Sequence, residues 1–149
     1  SAAMNAKPVL LLMGLALAST AAEAPSPKVV LPERLTFTTP PTIPDLRSAY
    51  VLGAESEPGT YVIRVRLKAG GRVAVHTHPD TRYSTVLSGT LYVGFGEVAD
   101  DARVTAVPAG AVYVAPANVP HFLWAKDGEV VYQEAGTGPT GTRMQGARP

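Results

Sequence analysis

The chain has 149 residues, three of them histidine and none of them cysteine. Hydrophobic residues make up 46% and charged residues 17%, which suffices for one packed domain, and a net charge of +1 without a basic block leaves no footprint for nucleic acid. The lack of cysteine excludes a disulfide scaffold, a thiolate nucleophile, a cysteine zinc site and an iron–sulfur cluster.

Ser1-Ala2-Ala3 ahead of Met4 reads as a cloning scar. A short stretch with Lys7 follows, then an apolar run from Val9 to Leu17 and the small residues Ala18 to Ala24. This order is that of a secretory signal peptide over residues 4–24, and the run is too short to span roughly 30 Å of hydrocarbon. The pattern predicts a periplasmic or secreted protein that does not touch the membrane after cleavage; a retained apolar N-terminal helix is the alternative. Residues 25–48 carry Pro25, Pro27, Pro32, Pro40, Pro41 and Pro44. Proline fixes φ and removes a donor, so this is expected to be an extended arm with one strand at most, over Arg34–Thr38.

From there the apolar pattern has period two. It predicts strands over Ala49–Leu52, Thr60–Leu67, Arg72–His78, Tyr83–Leu87, Thr90–Phe95, Arg103–Val107, Ala111–Val114, Phe122–Trp124 and Glu129–Glu134, punctuated by glycine-bearing turns. Only Glu97–Ala102 is a candidate helical turn. The Gly-rich, polar tail, residues 136–149, is expected to be loop. Many short, evenly spaced strands without a 3.6-residue stripe indicate an all-β sandwich or barrel, a single domain over residues 49–135 with a Pro-rich N-terminal arm.

The histidines carry the chemistry. His76 and His78, two apart in a strand, project from one face, where two imidazoles can grip one metal ion. His121 follows the turn Pro116–Pro120 and leads into another strand. No serine stands beside a spare histidine, so a hydrolytic triad has no base.

These residues resemble the cupin superfamily. In its first motif a glycine is followed by five residues and His-x-His, then by an acidic position and a closing glycine; Gly70, His76, His78 and Gly89 stand in that register. In its second motif Gly110, Pro116 and His121 match, with Asn118 replacing a glycine and Ala125 the terminal asparagine. Asparagine tolerates the left-handed conformation such a turn requires. The resemblance implies a double-stranded β-helix barrel and one divalent transition metal (iron, zinc, nickel, manganese or copper) on His76, His78 and His121. It also implies a homodimer.

The departure is Arg82, which occupies the family's glutamate position. A guanidinium cannot ligate a metal. Either three histidines suffice, or the metal is lost and the histidines satisfy the core, or Arg82 holds an anion beside the metal, as arginine does in thiol dioxygenases of the superfamily. Asp80 and Tyr83 are the substitutes for the missing ligand. On the last strand Gln133 shares a face with Val131, opposite Tyr132 and Glu134, and is the candidate donor behind the metal. Arg64 and Arg66 read as a solvated face. The resemblance therefore points to a metal-dependent enzyme, oxygenase-like ahead of isomerase or lyase, acting on a small anionic molecule. A non-catalytic binding or sensor module is the alternative.

Overall fold

The computed structural model describes residues 1–4, 16 and 24–146. The expected signal peptide, residues 4–24, lies outside the described residues except for Met4, Ala16 and Ala24. Among the described residues ten strands form: β1 (Leu46–Leu52), β2 (Gly59–Leu67), β3 (Arg72–Thr77), β4 (Arg82–Ser88), β5 (Thr90–Phe95), β6 (Thr105–Pro108), β7 (Val112–Ala115), β8 (His121–Trp124), β9 (Val130–Gly138) and β10 (Arg143–Met144). They build two five-stranded antiparallel sheets with orders β1-β2-β9-β4-β7 and β10-β3-β8-β5-β6.

The period-two pattern does the sorting. On β2, Ile63, Val65 and Leu67 are buried while Arg64 and Arg66 face outward, as expected. With Val86, Leu91, Val93, Val130 and Tyr132 they form one core between the sheets. Burying large apolar side chains here contributes about 1.5–3 kcal/mol each. Two glycines are fixed by close approach. Gly89 turns between β4 and β5 with φ of 76°, and Gly94 lies against the Phe122 ring, where a Cβ would collide with Cε1 and Cζ.

Four expectations change. Arg34–Thr38 is not a strand: Pro32–Arg34 forms one turn of 3-10 helix, and only Thr38 bridges to Ser48. Pro32 presets the turn at its first position, and the Arg34 and Leu35 amides donate back into it rather than to a ladder. Glu97–Ala102 makes bends and turns rather than a helical turn. The end of the arm joins the barrel, because Ile43 and Leu46 are buried in the core. Most consequential, the tail is not loop: β9 runs on to Gly138 and β10 pairs with β3, Arg143 opposite Thr77 and Met144 opposite His76. Its composition hid it because backbone and polar side-chain hydrogen bonds, not an apolar stripe, hold it in place.

Candidate metal centre

A regular β3 with Val73 facing the core would also face Val75 and Thr77 inward and turn both histidines out. Instead Val73 pairs with Leu123 and His76 with His121, so β3 carries one more residue than β8 between these pairs. This β-bulge shifts the facing by one, and Val73 and His76 both point inside. His121 opens β8 after a turn in which Asn118 takes φ of 61°, the left-handed conformation expected of it. The Asn118 amide donates to the His78 carbonyl at 2.8 Å, tying the two histidine segments together.

All three histidines are buried. Each directs Nδ1 to a backbone carbonyl: His76 to Ala74 at 2.7 Å, His121 to Val119 at 2.9 Å and His78 to Gly141 at 2.9 Å. A carbonyl only accepts, so each Nδ1 carries the proton and each Nε2 a lone pair. The Nε2 atoms of His78 and His121 have no partner among the described residues. The three candidate ligand atoms lie within 4.8 Å of one another. Buried acceptors this close together, on rings whose other nitrogen is anchored, fit a divalent metal ion and leave coordination positions open.

Arg82 points inward from β4, as its register requires, and Glu134 from β9 meets it. Arg82 Nη1 donates to Glu134 Oε2 at 2.7 Å, and the two residues are 6% and 5% exposed. Arg82 Nη2 donates to Thr140 Oγ1 at 3.0 Å and to the Gly141 carbonyl at 3.3 Å. Tyr113 donates to the other Glu134 oxygen at 3.3 Å. The cation is therefore matched by one carboxylate and bonded to two neutral oxygens, and its Nε has no partner among the described residues. Burial pushes the Glu134 carboxyl up, but the Arg82 charge beside it holds it below its ordinary value.

Burial, then the neighbouring His121, holds His76 down to about 3; burial, then Arg82, holds His78 down to about 4; burial also lowers His121. The rings are thus neutral and able to ligate at neutral pH. The unfolded chain takes up protons on these rings near pH 6.5 while the folded one does not. Stability of the metal-free protein should be full above about pH 6.5 and fall as pH drops from there toward 4, read as a declining melting temperature. A flat profile across that window would contradict neutral buried rings.

Gln133 does not reach the cavity. It faces outward, where its Oε1 accepts from Arg64 Nε at 3.2 Å and Nη2 at 2.9 Å. The alternation on β9 was legible, but the interior face is that of Val130, Tyr132 and Glu134. The signal was there: Val130 and Tyr132 make it the more apolar face, and Glu134 is its single charge. Asp80 is no ligand either, since it binds Tyr61, Thr137 and Thr140, and Tyr83 is 57% exposed. His76, His78, Arg82 and Glu134 line a cavity of about 120 Å³ together with Glu55 and the apolar Ile63, Val65 and Leu123.

Residues 63–133 match the sequence profile of the cupin domain. Germin-like protein 3-1 of Oryza sativa subsp. japonica is 32% identical over 81 residues, 54% of this chain but only 36% of that protein's length. Among solved structures, the polyketide cyclase RemF from Streptomyces resistomycificus superposes with a TM-score of 0.68 at 13% identity, over 83% of this chain and 88% of that one. Salicylate 1,2-dioxygenase from Pseudoaminobacter salicylatoxidans, in an adduct with gentisate, gives 0.57 at 19% identity over 70% of this chain and 30% of that one. At such identities the structural likeness is one of fold.

Proposed function

The chain belongs to the cupin superfamily, and on that basis we propose that it is a metal-dependent enzyme, oxygenase-like, acting on a small anionic molecule. The observation that carries this reading is the trio of buried imidazoles with Nδ1 anchored and their candidate ligand atoms within 4.8 Å of one another. A bound divalent ion would supply Lewis acidity and, for iron or copper, redox capacity.

The chain's own residues set what can bind beside it. Three neutral imidazoles bring no negative charge, and the Glu134 carboxylate is matched by Arg82. A divalent charge at this point gains no counter-charge from its three ligands, which favours an anion as the second partner. Arg82 Nε, buried and without a partner, is the donor left over to orient it. A cavity of about 120 Å³ suits a carboxylate of few heavy atoms. Export, read from the N-terminal pattern, completes the proposal.

Elemental analysis of the purified protein, followed by titration of the metal-loaded form with acetate and oxalate, tests the reading. One transition metal per chain and anion binding that vanishes on chelation are expected. A protein that takes up no transition metal when offered iron, zinc, nickel, manganese and copper in turn would overturn it. Anion binding without turnover of any oxidisable carboxylate would leave a binding module in place of an enzyme.

A further inference from the structure

The three anchored histidines are not anchored alike. His76 and His121 each bond a carbonyl two residues back on their own strand segment, so local backbone geometry presets both rings. His78 depends on a carbonyl 63 residues away, that of Gly141, and the second group near its Nδ1 is Thr142 Oγ1 at 3.3 Å. Both lie on residues 139–146, the strap that leaves β9 and returns along β3. One ligand of three is thus oriented from the far end of the chain.

What holds the strap at that point is Asp80, two residues beyond His78. Its Oδ1 accepts from Thr140 Oγ1 at 2.6 Å, and its Oδ2 accepts from the Thr137 amide at 3.2 Å and from the buried Tyr61 hydroxyl at 2.5 Å. Thr140 in turn accepts from Arg82, and its amide donates to the Glu55 carbonyl at 2.8 Å. Beyond it, the Gln145 amide donates to the Val75 carbonyl at 2.9 Å, so the strap is pinned on both sides of Gly141. Gly136 makes room for the latch: a Cβ there would run into Asp80 Oδ2 and Tyr61 Oη.

We propose that Asp80 is a positioning residue, which locks the strap so that the Gly141 carbonyl fixes the ring and tautomer of His78. A carboxylate serves because three donors converge on it, and an acceptor-only group satisfies all three at once. The orientation rests on these hydrogen bonds; only its consequence for metal affinity rests on the metal-binding reading above. Groups that orient a ligating histidine typically contribute 10–100-fold to metal affinity.

The test uses the full chain, free of metal and labelled with nitrogen-15, and reads the tautomer of each ring from two-bond proton–nitrogen correlations at neutral pH. Wild type should show all three rings protonated on Nδ1. In Asp80→Ala the His76 and His121 signals should stay as in wild type while His78 mixes both tautomers, and zinc affinity should fall about 10–100-fold. Should Asp80→Ala fail to fold, Thr140→Val removes one arm of the latch and Gly136→Ala pushes on it from outside. Either should unlock His78 alone. Three unchanged rings in a folded variant would overturn the proposal, and so would three rings that change together, which marks general loosening. A wild-type chain that binds none of zinc, iron, nickel, manganese and copper would end the metal-binding reading, while the tautomers would still decide the role of Asp80.

Discussion

His121→Ala should abolish metal loading while the barrel stays folded. The ring is one of three whose candidate ligand atoms lie within 4.8 Å of one another, it is anchored through Nδ1 to Val119, and no described carboxylate joins the cluster to replace it. Removing a ligand costs more than removing a group that orients one, so affinity should drop by more than about 100-fold. The space left by the ring adjoins the His76 and His78 rings and opens no new desolvated charge, so the far-ultraviolet circular dichroism should match wild type. His76→Ala should behave alike. Metal content by mass spectrometry after loading checks both, and unchanged stoichiometry in the two variants would remove the three-histidine centre from consideration.

The second large effect belongs to the Arg82–Glu134 pair. Glu134→Leu leaves a guanidinium buried without its counter-charge, and a guanidinium cannot shed its proton to escape. The loss should be about 3–5 kcal/mol, a fall in melting temperature of roughly 10–20 °C. Arg82→Met strands the carboxylate instead, but Glu134 can take up a proton, so this variant should recover part of its stability as pH falls toward 5. The double variant Arg82→Met/Glu134→Leu replaces the pair by apolar side chains and should be more stable than Glu134→Leu alone. Chemical denaturation of wild type, both singles and the double measures the coupling. If the three variants lose equal and small amounts, the pair does not hold the floor of the site.

The lesson of Arg82 extends to the rest of the molecule. Nine strands were legible because alternating apolar residues and turn glycines are local signals, and each of the expected segments contains or overlaps a strand of the structure. The metal-ligand candidates were legible from spacing: Gly70, His76, His78 and Gly89 in one run, Gly110, Pro116 and His121 in the other, and the left-handed Asn118 between them. Other features depend on partners distant in sequence. The β3 bulge exists only through its register with β8, and without it the same sequence would turn His76 away from the core. Arg82 looked like a lone cation at a ligand position until β9, packed beside β4, brought Glu134 to it from 52 residues away. The face of β9 that turns inward, Glu134 rather than Gln133, is likewise set by which sheet it completes. The tail, polar and rich in glycine, has no apolar period to announce it, because backbone bonds to β3 and the Asp80 latch hold it. Periodicity and motif spacing are properties of the chain alone; facing, ion pairing and the anchoring of His78 arise when distant strands meet.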